Sequence, residues 1–385
     1  MPNALAMGQA PPTKKDAAPV RLISFLRGAV DHAEPFFDQT FTLNATQQNL
    51  GPVDIATYGF ARAVVVRVDI VSTGNSATVA VAEDGPWSSL SEFAISDVNG
   101  APIFGPHGGY EMYLHHKYGG FRGQRDPKLG PTTAFTALST GAGATAGSGV
   151  FTLRVNLSRG ERDGLGALAN MNASSAYKLR ATISNLLGIF SVVPNGAVTM
   201  RVRCTLEAYS QPNPTDAAGR PQAVVPPANG TTGYSSRFQP QVTAGANTVK
   251  HTRVGNYVRN LIYVLRRAGT SRANGQADLL TQQLQWFVDS RLLTNKQYET
   301  IQFQMGEWYE LTSPTYEAAG GPDYGVFILP FMTEFDGRAG YELRDMWLPT
   351  TQATRFELLI PSLANAGVLT VMTDDVSPNG VVFSS

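Results

Sequence analysis

The chain is short of cysteine, of charge and of long apolar runs, and each shortage narrows what it can be. Its single cysteine, Cys204, has no second thiol for an intramolecular disulfide, which points to synthesis in a reducing compartment. No stretch approaches the roughly 18 consecutive apolar residues that a membrane-crossing helix needs. The opening MPNALAMGQAPPTKK lacks the charged-then-apolar order of a secretory signal, so a soluble product assembled inside the cell is expected. Charged residues are only 16%, and thirty basic residues balance thirty acidic ones. Proteins that neutralise nucleic-acid phosphates carry a basic excess or a basic arm, so direct nucleic-acid binding is not expected.

Catalytic and metal signatures are also missing. There is no HExxH, no paired cysteine motif and no GxSxG elbow. The glycine-rich GAGATAG from Gly141 lacks the Lys-Ser/Thr of a phosphate loop and precedes a strand-like run, so it reads as a flexible loop, part of a loop tip over 139–149. His115 and His116 are adjacent in an expected strand, where neighbours point to opposite faces. His107 sits in a Gly/Pro-rich turn and would meet them only through an accident of folding. Asp374 and Asp375 are the kind of acidic pair that glycoside hydrolysis uses at a set separation, but as sequence neighbours they read as a solvated turn. Trp87, Tyr110, Tyr113 and Trp286 are candidates for stacking on sugar, with core packing the commoner outcome. No catalytic, metal-binding or cofactor-binding residue is expected, and no cofactor.

What the chain has is turns and alternation. Glycine (38) and proline (24) are plentiful, which suits many strands joined by turns. Val64, Val66, Val68 and Ile70 alternate with Arg67 and Asp69. Phe151, Leu153, Val155 and Leu157 alternate with Thr152, Arg154 and Asn156. Val198, Met200, Val202, Cys204, Leu206 and Ala208 alternate with Thr199, Arg201, Arg203, Thr205 and Glu207. This is the period-two pattern of strands with one face in a core, and it makes Cys204 a core residue. Helical signals are few. Thr294 with Gln297 suggests a capping box, followed by Tyr298, Ile301 and Met305 at helical spacing. Near the start, Leu22, Phe25, Leu26, Ala29 and Val30 form an apolar stripe opened by Pro19 and flanked by Lys14, Lys15, Arg21 and Arg27.

Four blocks recur in the same order in the two halves. GFARAVVVRVDI from Gly59 resembles NYVRNLIYVLRR from Asn256, and LSEFAISD from Leu90 resembles LQWFVDSR from Leu284. GVFTL from Gly149 resembles GVFIL from Gly325, and AYKLRATI from Ala176 aligns with ATRFELLI from Ala353. Each half then closes with a strand-like run, AVTMRVRCTLEA from Ala197 and GVLTVMTDD from Gly367. A Pro-rich stretch at 211–247 separates the halves, too long for a structureless loop inside one domain. The expected plan is an N-terminal arm (1–34), a first domain (35–210), a linker or loop (211–247) and a second domain (248–385). The fold class is all-β: two tandem eight-stranded jelly-roll β-sandwiches, with few short helices and an N-terminal amphipathic helix.

Two jelly rolls in one chain of this size resemble the double jelly-roll major capsid proteins of tailless, membrane-containing phages, the tectivirus group. TGNSATVAVAEDGPWSSLSEFAISDVNG from Thr73 resembles that family's first-roll pattern, and GGYEMYLHHKYG from Gly108 resembles the aromatic and histidine-bearing segment after it. LANM from Leu168, with YKLRATISN from Tyr177, resembles its late helix-then-strand passage. The likeness covers roughly residues 35–210, and the second half mostly through order and length. It implies homotrimers forming pseudo-hexagonal capsomers, assembled in the host cytoplasm, that tile an icosahedral virion shell over an internal membrane. Implied partners are neighbouring capsomers, vertex or minor capsid proteins and that viral lipid membrane. Lys14, Lys15, Arg21, Leu22, Phe25, Leu26 and Arg27 are then candidate membrane-facing residues, cations on anionic headgroups and the stripe at the interface. The alternative is a helix packed beneath the sandwich. For the whole chain the other reading is a carbohydrate-binding double β-sandwich, a receptor-binding or lectin-like module, with a β-sandwich hydrolase third.

Overall fold

Val64, Val66, Val68 and Ile70 have essentially no solvent exposure, while Arg67 and Asp69 on the same strand stay half-buried. Alternation has become a core face, as the period of a pleated strand requires. The computed structural model describes residues 21–378 apart from 76–77, 120–126, 130–131, 135–137, 139–144, 161–163, 226–231, 268–271, 273–277, 279–282, 310–322 and 333–343.

The first half supplies β1 (Asp31–Thr42), β2 (Gln48–Asp54), β3 (Phe60–Asn75), β4 (Leu90–Ser96), β5 (Pro102–His107), helix α1 (Gly109–Tyr118), β6 (Thr145–Asn156), β7 (Lys178–Ile183) and β8 (Val198–Tyr209). The second half supplies β9 (Gly233–Phe238), β10 (Gly245–Lys250), β11 (Tyr257–Arg267), β12 (Gln283–Val288), β13 (Arg291–Gln297), helix α2 (Tyr298–Tyr309), β14 (Val326–Pro330), β15 (Phe356–Leu363) and β16 (Gly367–Val376). In the first half the sheets run β1-β8-β3-β6 and β2-β7-β4-β5; in the second they run β9-β16-β11-β14 and β10-β15-β12-β13. Adding eight to each strand of the first half gives the second, and both have the strand order of a jelly roll. The five block pairs of the sequence fall on β3/β11, β4/β12, β6/β14, β7/β15 and β8/β16, each pair at equivalent sheet positions. α1 and α2 are equivalent too, each following the fifth strand of its roll.

Register explains the core. Cys204 lies opposite Val66, which lies opposite Leu153, and one step on Val202, Val68 and Phe151 form the next row. All six side chains are at most 2% exposed. Burying side chains of this size contributes about 1.5–3 kcal/mol each relative to exposure. The two rolls are not separate bodies on a string. β9 runs parallel to β5 with Ser235 opposite Phe104, so one sheet passes β14-β11-β16-β9-β5-β4-β7-β2 from the second roll into the first.

Four local expectations change. Residues 21–33 do not form an amphipathic helix: Arg21–Ser24 is a short strand parallel to Gln222–Val225, Phe25–Gly28 is a single helical turn, and β1 begins at Asp31. The ladder of Asp31, His32 and Ala33 with Tyr209, Ala208 and Glu207 takes the backbone that a helix needs. Thr294 and Gln297 lie in β13 rather than capping a helix, because their backbone pairs with Trp286 and Gln283. α2 starts at Tyr298, with Tyr298, Ile301 and Met305 buried as their spacing indicated. The 211–247 stretch is not a bare connection, since β9 and the start of β10 lie within it. The 139–149 loop tip is partly strand: 145–149 belongs to β6, and 139–144 lies outside the described residues.

Candidate functional site: the seam between the rolls

β5 ends at His107, and the chain turns at once into α1. Gly109 permits this turn, because a Cβ there would sit 1.9 Å from the Trp87 carbonyl oxygen. The backbone N–H of Gly108 donates to Glu111 Oε2 at 2.6 Å, satisfying an open donor at the helix start. Nine of the ten α1 residues are buried. A helix enclosed on all sides has no apolar stripe, which is why this segment reads as a strand from sequence; His115 and His116 lie on α1 rather than on a strand.

α1 lies in the seam where the second roll meets the first. Arg237 of β9 donates from Nη1 to Glu111 Oε2 at 2.8 Å, and His107 Nε2 sits 2.9 Å from Ser235 Oγ. Lys117 reaches Asp323 Oδ2 at 2.7 Å, and Tyr118 donates its hydroxyl to Oδ1 of the same carboxylate at 2.6 Å. Asn260 of β11 donates to the Tyr118 carbonyl at 2.8 Å. At the other end, Asp84 accepts from Arg266 at 2.6 Å, and the Arg266 and Arg272 guanidiniums lie over the Tyr110 ring.

The centre of the seam is Asp374. Arg159 of the first roll donates to its Oδ1 from Nε at 3.0 Å, and Arg259 of β11 donates to its Oδ2 from Nη1 at 2.9 Å. Burial alone would raise the Asp374 pKa, but the Arg159 and Arg259 guanidiniums outweigh it and hold the carboxyl below its ordinary value. Gly233 leaves room for this: a Cβ there would stand 3.0 Å from the Arg159 side chain. Asp375 is bridged by Arg253 at 2.8 Å, and its pKa is raised by burial against that pairing. The expected solvated turn at Asp374 and Asp375 is therefore a buried stretch of β16, both residues being at most 3% exposed. Cations from distant points of the chain offset the cost of burying them.

His115 points into the same seam, with Nε2 4.0 Å from Asp374 Oδ2 and its ring 6.4 Å from that of His107. Folding thus brings together two of the three histidines, while the N–H of Arg154 meets His116 Nδ1 at 3.3 Å. Burial pushes His115 down to about 3 and His107 well below the ordinary histidine value. Among the described residues no group of three or more His, Cys, Asp and Glu is placed to hold a metal ion. Burial pushes the Cys204 thiol up to about 12, which leaves no thiolate nucleophile.

The four aromatics weighed for sugar binding are core residues. Trp87 stacks on Tyr113 with ring centroids 4.0 Å apart, and Trp286 donates to the Tyr263 hydroxyl at 2.8 Å. Trp87, Tyr110, Tyr113 and Trp286 are all at most 3% exposed. Of the candidate membrane-facing residues, Lys14 and Lys15 lie outside the described residues. Phe25 faces inward, packing edge-on against Phe60 and Tyr209 at 4.9 and 5.6 Å. Leu26 is half-buried, and the backbone of Arg21 and Leu22 pairs with Gln222 and Ala223. Arg27 lies in the helical turn that follows. Residues 21–28 are thus held to the first roll at Phe25 and to the 211–247 stretch through the Arg21–Ser24 pairing.

No protein-family model matches the chain, and no curated protein matches it either. Solved structures do. The chain is similar to a protein in the atomic structure of Sulfolobus Turreted Icosahedral Virus, with a TM-score of 0.63 at 14% identity over 91% of both chains. It is similar to a chain of the PBCV-1 virus capsid, TM-score 0.55 at 9% identity, over 96% of this chain and 99% of that one. It is similar to the Faustovirus major capsid protein, TM-score 0.53 at 9% identity, over 98% of this chain and 93% of that one. The likeness runs nearly end to end in each case, so what is shared is the whole two-roll fold.

Proposed function

We propose that this chain is the major capsid protein of a double jelly-roll virus, a structural subunit of the virion shell. One observation carries the reading: two jelly rolls with the same strand order share a continuous sheet, and this two-roll fold is similar to chains of solved virus and capsid structures over almost their full length. Such a block has rigid sides and its work is geometric. The lectin-like alternative loses its support, because the aromatic rings it relied on are inside the rolls. Nothing in the seam favours an enzyme: its carboxylates and cations neutralise one another and its histidines are held neutral.

In finer detail, the subunit forms a homotrimer of pseudo-hexagonal outline that packs with other capsomers, and with vertex or minor capsid proteins, into an icosahedral shell. The N-terminal arm is the subunit's membrane-contacting segment, with Lys14, Lys15, Arg21, Leu22, Leu26 and Arg27 as its candidate contacts, while Phe25 is packed inward on the first roll. Support for the arm's role is its cation content and its tether on the first roll. Light scattering on the purified chain tests the capsomer: a particle of three times 41.3 kDa is expected, and a monomer at all concentrations would contradict it. For the arm, full-length chain should float with anionic vesicles and a chain lacking residues 1–20 should not. Equal flotation of the two would remove the membrane role.

A further inference from the structure

Arginine neutralises most of the seam's carboxylates: Arg266 pairs with Asp84, Arg237 with Glu111, Arg159 and Arg259 with Asp374, and Arg253 with Asp375. Asp323 instead meets Lys117, the one buried lysine among the described residues. The difference is chemical. A guanidinium stays protonated, whereas a lysine amine becomes a nucleophile once it has given up a proton.

Lys117 lies on α1, in the first half of the chain, and Asp323 just ahead of β14, 206 residues further on. Nζ stands 2.7 Å from Asp323 Oδ2, and the two side chains are only 3% and 2% exposed. Tyrosine rings enclose the pair. Nζ lies 5.7 Å from the centroid of Tyr113 and 5.3 Å from that of Tyr118, and Tyr309 packs edge-on against Tyr118 at 5.0 Å. The Tyr118 hydroxyl donates to Oδ1, the other oxygen of the same carboxylate, at 2.6 Å. Burial, and after it the Asp323 charge, hold this phenol well above its ordinary pKa, so it remains a donor.

We propose that Lys117 and Asp323 condense into an isopeptide bond that joins the two rolls covalently across the seam. The Nζ proton first passes to Oδ2 along their hydrogen bond, turning two buried charges into a neutral amine and a neutral acid, a change that a dry site favours. The Nζ electron pair then attacks Cγ. A C–N bond forms and the Cγ–Oδ1 π pair moves onto Oδ1, where the Tyr118 hydroxyl stabilises it. Oδ2 leaves as one water, carrying the proton it received and a second from nitrogen, and the Cγ–Oδ1 double bond re-forms. Ammonium and carboxylate thus become an amide plus water, with no oxidant or other reactant. Holding amine and carboxyl in contact supplies the proximity of an intramolecular reaction, for which effective molarities reach roughly 10⁵–10⁸ M.

Mass spectrometry of the purified full chain reads this directly. The denatured protein should be lighter than its sequence by the mass of one water. Its tryptic digest should contain one branched peptide joining the segments around Lys117 and Asp323, because trypsin does not cut after an acylated lysine. Lys117→Arg keeps the ion pair and cannot form the bond, so it should show neither signal. Asp323→Asn should give the same branched peptide with loss of one ammonia in place of water. Tyr118→Phe keeps the ring and removes the donor, and should leave most of the chain unlinked. Wild-type protein at full sequence mass would overturn the proposal whatever the variants do. So would a lost water without the branched peptide.

Discussion

Arg159, just beyond β6 of the first roll, donates through Nε to Asp374 on β16 of the second roll at 3.0 Å, across 215 residues of chain. Arg259 holds the other oxygen of the same carboxylate, so Asp374 is a shared anion between two buried guanidiniums. Removing it leaves both cations buried without their counter-charge, and breaking such a group costs about 3–5 kcal/mol. Asp374→Ala should lose that much in urea unfolding, with Asp374→Asn losing less because it still accepts hydrogen bonds. A loss under about 1 kcal/mol for Asp374→Ala would mean the seam is not held together by this group.

The buried histidines set an acid limit. The folded chain holds His115 and His251 neutral down to about 3, against an ordinary value of 6.5, and holds His107 neutral well below that value. The unfolded chain therefore binds more protons as pH falls below 6.5, and stability declines from there toward pH 3. Each histidine contributes a slope of up to about 1.4 kcal/mol per pH unit. Asp374 acts in the same direction at lower pH: its stabilisation is present above its unfolded value and lost as pH falls through the depressed folded one. Denaturation midpoints from pH 7 to pH 4 should fall steadily, and His251→Gln should flatten the slope. A flat profile would contradict the neutral burial of these rings.

Phe151 and Phe327 occupy equivalent positions in GVFTL on β6 and GVFIL on β14, and both are at most 1% exposed. Each truncation to Ala should cost about 3–5 kcal/mol. If the seam makes one cooperative block, either variant lowers a single calorimetric transition. Two transitions that respond separately to the two variants would show that the rolls unfold independently.

Gly109→Ala should destabilise the chain by about 1–3 kcal/mol through overpacking, because its Cβ would lie 1.9 Å from the Trp87 carbonyl oxygen. Gly100→Ala is the contrast. Its Cβ would meet nothing within 4 Å, so its cost comes only from a φ of +87°. Thermal melting of the two variants separates crowding from backbone strain.

The strands that were legible from sequence were those with one buried and one wetter face. β3, β6 and β8 alternate cleanly, and their repeats in the second half fall on the equivalent strands. β1 was hidden because an edge strand with eight exposed residues lacks alternation, and the N-terminal stripe reads as helical because Phe25 packs inward from a single turn. The seam was illegible for a different reason. Asp374, Arg159, Arg259 and His115 come from four distant segments, and a carboxylate looks solvated until the cations that cover it are known. The family-like segments at Thr73 and Gly108 contain Asp84, Trp87, Glu111 and Lys117, which the fold places at or beside the seam.

The central claim is that this two-roll block builds a capsomer, and electron-microscopic class averages of the purified protein test it most directly. The account predicts three-fold particles of near-hexagonal outline with six lobes, one for each roll. Isolated two-lobed particles at every concentration would contradict it.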